Sequence, residues 1–391
     1  MSVIGIVCEF NPFHNGHKYL IDSVKQQGDI VVCVMSGNFV QRAEPAIFPK
    51  NVRVKAALLN GADIVLELPF VYATASAEFF AYNAVRVLDA FGCDKLAFGT
   101  ENATIEQLNK IVDTLNNDNF NDEIKKYLQN GESYASARHL ALKAYGNDFD
   151  IYMPNNILAV EYIKAIRKIN LKIEPVCINR NGAGYNDDFA VEEFASATHI
   201  RSLINQNKSF EQYVPENCYH LYLDCIENGN YVSQEKYELA SLALLRAGLY
   251  DNKENIACMA EGLENRIDEA IKISLSLNEL YDSVKTKRYA HSRIRRAVLS
   301  KQFSVYNDDL YIEAPYCRLL GFNENGAKNL GKLVNNCSLP FITRFSDISK
   351  TGNQEVNRVF EFEDKSTDFY SLILYKQSIC SKERVFSPVK I

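Results

Sequence analysis

Short apolar runs alternate with amphipathic segments along the first 205 residues. The runs SVIGIVCEF, DIVVCVMSG, ADIVLELP, CDKLAFGTE and LKIEPVCINR predict buried strands, the first by its continuous β-branched residues. Continuous apolar runs of this kind are typical of parallel strands that are covered on both faces. The segments between them, such as NVRVKAALLNG and SAEFFAYNAVRVLDAFG, predict amphipathic helices. The alternation therefore predicts a Rossmann-like, doubly wound parallel α/β sheet.

Beyond residue 205 the pattern changes to longer helical segments. SQEKYELASLALLRAG, residues 254–284 and SRIRRAVLSKQF predict long helices. DLYIEAPYCRLLGF and LPFITRF predict short strands near the C-terminus, with a helix around ENGAKNLGKLV. We therefore expect an α/β domain of residues 1–205 and a mainly helical α+β domain of residues 206–391.

Composition narrows the class of protein. The ten cysteines are scattered without a CxxC pair, which predicts reduced and mostly buried thiols. No run of about 18 apolar residues predicts a membrane span, and the N-terminus lacks the basic and apolar regions of a secretory signal. We therefore expect a cytoplasmic protein with no membrane association. The formal charge of −6 argues against a globally basic nucleic-acid binder but leaves room for a local basic patch.

The first predicted strand-to-helix turn has the sequence HNGH. A helix N-terminus carries unpaired N–H groups and partial positive charge, and Gly16 allows an anion to approach the backbone closely. His14 and His17 can donate N–H groups to phosphate oxygens as charge develops during nucleotidyl transfer. Two alternatives remain open, namely a core His17 beside a solvated His14, and a metal site that would need a third ligand. We expect phosphate binding and no protein-built metal site.

A second candidate for phosphate binding is the segment SATHIR. Ser196 or Thr198 can cap the helix that follows, and Arg201 places a guanidinium in its first turns. Taken alone, such a segment is usually only a helix cap. Combined with the HNGH turn, it indicates a nucleotide site.

The two motifs resemble those of the HxGH nucleotidyltransferase superfamily, which is related to class I synthetases. The strings EFNPFHNGH, SGNFVQRAEPAIF, PNNILAVEYIKA, TKRYAHSRIRRAVL and YCRLLGFNENGAKNL are similar to the bacterial tRNA(Met) cytidine acetate ligase family along almost the whole chain. The resemblance implies an HxGH-type catalytic domain that uses ATP and Mg²⁺ to activate acetate. It also implies acetylation of the wobble cytidine of elongator tRNA(Met), with no obligate protein partner. Ala43 departs from the family, which more often has glycine there.

The resemblance also implies which residues contact ATP, with His14 and His17 as the catalytic pair. Some positions also make sense chemically: Gly99 ends a strand, Asn155 has paired donor and acceptor groups, and Arg180 can bind an oxyanion bidentately. Together with the SATHIR residues, the predicted ATP contacts are Val7, Cys8, Glu9, Phe10, Asn11, Pro12, Phe13, Asn15, Gly16, Lys18, Tyr19, Leu20, Gly99, Asn155, Arg180, Ser196, Thr198 and Arg201. Arg42 and Lys50 are further cations that can contact pyrophosphate or RNA.

Residues 285–301 form a basic stretch that contains no acidic residue. We expect this stretch to contact the RNA backbone, with Tyr289 as a possible stacking face for an unpaired base. The alternative is a solvated helix face that pairs with acidic neighbours in EGLENRIDEA. The predicted RNA contacts are Lys285, Lys287, Arg288, Arg293, Arg295 and Arg296.

Two other functions fit parts of the sequence. A small-molecule adenylyltransferase of cofactor biosynthesis would share the ATP site but would have no use for the helical C-terminal region. An RNA-binding module with a vestigial nucleotide site would not need the histidine pair, the glycine and the second phosphate-binding segment together. An RNA-modifying ligase accounts for all of these features.

Overall fold

The computed structural model describes most of the 391-residue chain. The described residues are 1–101, 103–132, 134–146, 153–169, 172–179, 194–249, 255–260, 262–286 and 289–391. The predicted ATP contact Arg180 and the predicted RNA contacts Lys287 and Arg288 lie outside these ranges.

The strands agree closely with the apolar runs of the sequence. They are β1 (Val3–Cys8), β2 (Ile30–Ser36), β3 (Phe39–Val40), β4 (Glu44–Pro45), β5 (Ile64–Leu68), β6 (Lys95–Thr100), β7 (Glu174–Asn179), β8 (Cys317–Phe322), β9 (Phe341–Ile342) and β10 (Val389–Lys390). The long strands all coincide with predicted ones, because a short apolar run bounded by turn residues is a local signal for a buried strand.

The helices before residue 205 connect and cover these strands. They are α1 (Asn15–Val24), α2 (Lys50–Leu59), α3 (Phe70–Ala73), α4 (Ala77–Ala90), α5 (Ile105–Leu115), α6 (Phe120–Gln129), α7 (Tyr134–Ala144), α8 (Pro154–Ile169) and α9 (Ala197–Asn205). No helix among the described residues has the length and apolar content that a membrane span requires.

The later helices include several that the sequence analysis missed. They are α10 (Glu216–Glu227), α11 (Gln234–Ala247), α12 (Leu263–Ile273), α13 (Leu277–Val284), α14 (His291–Phe303), α15 (Asn307–Tyr311), α16 (Glu324–Asn336), α17 (Phe345–Lys350) and α18 (Gln354–Leu372), besides a 3₁₀ turn at Glu211–Tyr213. The long helix predicted for residues 254–284 is wrong, because Ser274 ends α12 and Ser276 caps α13 through its side chain. The missed helices are α10, α15, α17 and α18.

The sheet has the strand order β10-β8-β5-β2-β1-β6-β7, with β9 beside β8. The segment from β5 to β7 is parallel, as predicted, and its order reverses between β1 and β6. In such sheets ligands bind at this reversal, outside the carboxyl ends of the strands. The sheet is mixed rather than purely parallel, because β8 runs antiparallel to β5.

Both faces of the sheet are covered by apolar layers. Val32 and Val34 of β2 belong to one buried cluster, while Val31, Cys33 and Met35 belong to the other. This alternation along one strand is the geometric requirement of a sheet with helices on both faces. All ten cysteines are free, as expected, and most of them are buried.

Strands from both sides of residue 205 contribute to this sheet. Arg318 of β8 is buried against Glu67 of β5, at 2.7 Å, and against Glu383 near the C-terminus, at 2.6 Å. Lys50 belongs to the same cluster and lies 2.5 Å from both glutamates. Lys50 is buried there, so it does not contact pyrophosphate or RNA. The boundary near residue 205 stays a prediction.

Candidate nucleotide site

The HNGH turn begins α1 directly outside the carboxyl end of β1. His14 is the N-cap residue, and its Nδ1 accepts a hydrogen bond from the Gly16 N–H at 3.1 Å. His17 completes a reciprocal capping box, because its Nδ1 accepts from the His14 N–H at 3.2 Å. The two rings stack with their centroids 3.7 Å apart.

These hydrogen bonds determine the tautomer of both rings. An Nδ1 atom that accepts from a backbone N–H carries no proton, so the proton of the neutral ring is on Nε2. His14 is buried, and Phe10 and Phe13 pack against the ring of His17 at centroid distances of 4.9 and 5.6 Å. Each histidine therefore offers a rigidly oriented Nε2–H donor, and the solvated position considered for His14 is wrong.

The SATHIR segment meets the HNGH turn through Arg201. Ser196 caps α9 by accepting from the His199 N–H at 3.1 Å. Arg201 donates from Nη1 to the carbonyl oxygen of Asn11 at 2.8 Å and from Nη2 to Glu44 Oε1 at 3.3 Å. The N-terminal ends of α1 and α9 consequently open onto one cavity, where two sets of backbone N–H groups can face an anion.

This cavity, called the nucleotide cavity below, contains most of the predicted ATP contacts. Its predicted lining residues are Val7, Cys8, Glu9, Phe10, Asn11, His14, Gly16, His17, Tyr19, Leu20, Gly99, Asn155, Ser196, Thr198 and Arg201. The two histidines therefore lie together with residues from β1, β6, α8 and α9, which are far apart in the sequence.

Four of the predicted contacts within the described ranges do not line the cavity. Pro12 and Phe13 are buried, and the Phe13 N–H donates to the Tyr222 hydroxyl at 3.1 Å. Asn15 Nδ2 donates to the carbonyl oxygen of Gln212 at 3.0 Å. Lys18 pairs with a neighbouring aspartate on the exposed side of α1. Their positions anchor the turn rather than face the cavity.

The far side of the nucleotide cavity is apolar and includes residues that the sequence analysis missed. Phe98 and Tyr162 lie with ring centroids 5.6 Å apart, and Phe80 and Leu158 complete this wall. Burial raises the pKa of the Tyr162 phenol, so Tyr162 stays protonated at physiological pH. Phe98 lies in β6, whereas Phe80 and Tyr162 lie in α4 and α8, so no local sequence pattern connects them.

Asn155 and the FGTE segment are tied together at the end of β6. Asn155 Nδ2 donates to the Glu101 carboxylate, and Asn156 Oδ1 accepts from the Glu101 N–H at 3.0 Å. Asn156 is fully buried, so the start of α8 is fixed against β6. This connection brings Gly99 and Asn155 to the same wall of the cavity.

The short hairpin β3–β4 covers the open side of the cavity with Gln41, Arg42 and Glu44. Ala43 has a φ of 55° at the turn, which is the left-handed region that glycine prefers. The residue that departs from the family thus keeps the backbone shape that glycine would adopt. The motif QRAEP was a usable signal for Glu44, which the sequence analysis nevertheless left out.

Glu9 and Arg53 support the floor of the cavity. Glu9 Oε1 accepts from the Gln41 N–H at 2.6 Å, and burial raises the pKa of this carboxyl. The fully buried Arg53 donates to the carbonyl oxygens of Phe48 at 3.0 Å and Glu9 at 2.6 Å. Its other donors reach the carbonyl oxygens that end β2. Arg53 therefore locks the ends of β1 and β2 together.

The basic stretch is only partly available for RNA. Lys285 is exposed, whereas Lys301 forms an ion pair with Asp268 at 2.9 Å, as the alternative interpretation predicted. Arg296 is half-buried, and burial lowers the pKa of its guanidinium beside Cys258. Arg293 lies over the ring of Tyr289 at 5.4 Å.

Tyr289 and Arg295 have different surroundings from those expected. The stacking face predicted for Tyr289 is wrong, because this ring is buried in the core at 4% exposure. Arg295 points toward the nucleotide site instead and lies 3.6 Å from Glu44 Oε2. Tyr289 lies before α14 and Arg295 within it, and the local sequence pattern does not distinguish these two orientations.

Comparison with known proteins finds similarity along almost the whole chain, including the site. Residues 1–384 match the family described as HIGH Nucleotidyl Transferase. A tRNA(Met) cytidine acetate ligase from Caldicellulosiruptor saccharolyticus is 41% identical over 95% of this chain and 94% of that protein. One from Caldanaerobacter subterraneus subsp. tengcongensis is 39% identical over 100% of this chain and 99% of that protein.

Solved structures give the same result. The apo crystal structure of Thermotoga maritima TmcAL is 33% identical, covers 100% of both chains and superposes with a TM-score of 0.91. The same enzyme bound with alpha-thio ATP covers 100% of this chain and 99% of that chain, with a TM-score of 0.90. This chain therefore belongs to the tRNA(Met) cytidine acetate ligase family, within the HIGH nucleotidyl transferases.

Proposed function

We infer that this protein is an ATP-dependent ligase that activates acetate as acetyladenylate and acetylates the wobble cytidine of elongator tRNA(Met). The observation that carries this inference is the convergence of two helix N-termini and two oriented histidines on one cavity. The full-length relatives, which are named for this reaction, supply the identity of the acid and of the RNA.

In the first step, an acetate oxygen attacks the α-phosphate of ATP, the new O–P bond forms and pyrophosphate leaves. Negative charge increases on the phosphate oxygens in the transition state. His14 and His17 are placed to donate Nε2–H hydrogen bonds to these oxygens, and the helix N-termini add backbone donors. The nucleophile is already anionic, so positioning and charge stabilisation account for most of the catalysis.

The rest of the nucleotide fits the remaining walls of the cavity. The apolar wall of Phe98 and Tyr162 suits an adenine ring, while Gly99 and Asn155 lie where ribose or a base edge can be hydrogen-bonded. Contacts from Arg180 to phosphate or to the acid remain part of this proposal through the family resemblance alone.

Mg²⁺ enters this proposal as a companion of ATP. No group of three His, Cys, Asp or Glu side chains in the described part of the chain is arranged to hold a cation by itself. At nucleotide sites Mg²⁺ is usually bound by phosphate oxygens and water rather than by a cage of protein ligands, and we propose that mode of binding here. When bound, the ion would neutralise charge on the departing pyrophosphate.

The RNA is proposed to approach along α14, which carries Arg293, Arg295 and Arg296. Arg295 is the member of the basic stretch that connects to this cavity, through Glu44. The other predicted RNA contacts would neutralise backbone phosphates, which predicts a salt-dependent affinity for tRNA. A cytoplasmic location follows from the proposed substrate.

The test combines two assays on the purified protein. Acetate-dependent ATP–pyrophosphate exchange measures activation, and nucleoside mass spectrometry of bulk tRNA incubated with ATP and acetate measures transfer. We expect exchange and the appearance of acetylcytidine. Exchange with a different small substrate would favour a cofactor-type adenylyltransferase, and tRNA binding without any exchange would favour an RNA-binding module.

A further inference from the structure

A second cavity adjoins the nucleotide cavity and is called the acceptor groove here. It lies between α9, the β3–β4 hairpin and the helices α11, α13 and α14. Tyr237, Tyr281, Asn278 and Arg295 contribute to its lining. Because the groove opens beside the site of activation, a nucleotide bound in it would lie next to the acyl group formed there.

The two cavities share a short boundary. The described residues common to both linings are Glu44, Thr198 and Arg201. Arg201 is permanently charged and the Thr198 hydroxyl is a very weak base, so neither can take up a proton at neutral pH. Glu44 is therefore the shared residue that can act as a proton acceptor.

Glu44 is held in place from both sides of this boundary. Arg201 of α9 lies 3.3 Å from Oε1, and Arg295 of α14 lies 3.6 Å from Oε2. The Glu44 side chain is 27% exposed, so it is accessible to a substrate. Tyr237, Tyr281 and Glu9 are the further titratable groups that interact with it electrostatically.

Arg295 carries an independent sign of a missing partner in the groove. Its Nε is buried and has no hydrogen-bond partner among the described residues. Its guanidinium lies 5.3 Å from the centre of the Tyr281 ring, so its plane is supported from one side. A pyrimidine edge with oxygen and nitrogen acceptors would satisfy such a donor.

We propose that the acceptor groove binds the target cytosine and that Glu44 accepts the proton from its exocyclic amine during acyl transfer. This proposal rests on the proposed function, because that function supplies the acetyladenylate. It adds the position of the acceptor base and a residue for the step in which the amine must lose a proton.

The step balances without a further reactant. The amine nitrogen attacks the acetyl carbonyl, and a C–N bond forms. The bond between the carbonyl carbon and the phosphate oxygen breaks, and AMP leaves with the electron pair. The attacking nitrogen becomes acidic as it gains a bond, so it transfers one proton to the Glu44 carboxylate, which later releases that proton to water.

The test compares Glu44→Gln with the wild type in two half-reactions. Activation is followed by acetate-dependent ATP–pyrophosphate exchange. Transfer is followed in single turnovers, by mixing tRNA with enzyme that has been loaded with ATP, acetate and pyrophosphatase. General-base catalysis is worth about 10²–10⁴-fold. We therefore expect transfer to fall at least about 100-fold, and by at least 10 times more than exchange.

A pH profile distinguishes a proton acceptor from a structural residue. The wild-type transfer rate should rise with pH to a plateau, whereas the Glu44→Gln rate should lose this acidic limb. Glu44→Asp retains a carboxylate and should recover part of the rate together with the limb. Glu313→Gln, which removes a carboxylate paired with Arg86 at 2.8 Å outside both cavities, is the matched control and should behave like the wild type.

Three results would overturn the proposal. Equal losses of exchange and transfer in Glu44→Gln would show that Glu44 maintains the structure of the whole site. A wild-type transfer rate in Glu44→Gln would show that Glu44 takes no part in proton transfer. An unchanged acidic limb in Glu44→Gln would assign the proton to another group. If the wild-type protein shows no acetate-dependent exchange, the failure belongs to the proposed function instead.

Discussion

In the proposed mechanism His14 has two functions in the opening turn, and one substitution can separate them. Its Nδ1 caps α1 by accepting from the Gly16 N–H at 3.1 Å, while its Nε2–H is the group proposed to stabilise a phosphate oxygen. Asparagine is among the best N-cap residues, because its side-chain oxygen accepts the same backbone hydrogen bond. His14→Asn therefore keeps the cap and removes the more distant donor.

The two functions have different expected magnitudes. Loss of an N-cap costs about 0.5–2 kcal/mol of stability. Loss of a preorganised donor to a developing oxyanion typically costs about 3–4 kcal/mol of transition-state stabilisation, or about 100–1000-fold in rate. The free energy of unfolding of His14→Asn should therefore lie within about 0.5 kcal/mol of the wild-type value, while the rate of exchange falls about 100–1000-fold.

His14→Ala is the matched variant, because it removes both functions. It should lose activity to a similar extent and also unfold about 1 kcal/mol more easily. Urea unfolding measures the stability, and acetate-dependent ATP–pyrophosphate exchange at saturating ATP measures the rate. Exchange in His14→Asn within tenfold of the wild type would show that His14 acts only as a cap and would refute the mechanism.

Three further predictions concern the framework around the site. Gly326→Ala should lower the free energy of unfolding by about 3 kcal/mol, since a methyl group there would overlap the carbonyl oxygen of Asp63. Gly331 lies in the same helix with open space around it, so Gly331→Ala should raise the free energy of unfolding by about 0.5–1 kcal/mol; urea unfolding measures both. Lysine cannot reproduce the hydrogen bonds that the Arg53 guanidinium donates to four carbonyl oxygens. Arg53→Lys should therefore lower the free energy of unfolding by roughly 3–6 kcal/mol in the same assay. A loss below about 1 kcal/mol would show that the lysine replaces these hydrogen bonds. Burial, with the nearby charge of Glu67, raises the pKa of Glu363 from 4.5 to about 8. The folded state therefore binds this proton more tightly than the unfolded state, and the resulting stabilisation is lost as the pH rises from about 4.5 through 8. The free energy of unfolding should fall over this range by up to about 1.4 kcal/mol per pH unit, and Glu363→Gln should show a flatter dependence, so identical slopes would contradict this assignment.

The strands and the first turn were predictable from the sequence because they depend on local pattern. The apolar runs of β1, β2, β5, β6 and β7 are long enough to specify buried parallel strands. A glycine between two histidines after such a strand specifies a helix N-terminus that suits an anion. The helix α18 was missed because its buried face is interrupted by polar residues such as Glu363, whose partners Lys50 and Phe70 lie far away in the sequence.

The chemistry at the cavity boundary was decided only by the tertiary structure. Arg295 and Glu44 are about 250 positions apart, and no spacing rule connects them until α14 packs beside the β3–β4 hairpin. Long-range packing also buried Tyr289 and placed Lys50 in an internal charge cluster. The sequence by itself determined which residues can bind an anion or carry a charge, because this depends on side-chain chemistry. Which of them face a common cavity depends on long-range packing, which the local pattern does not contain.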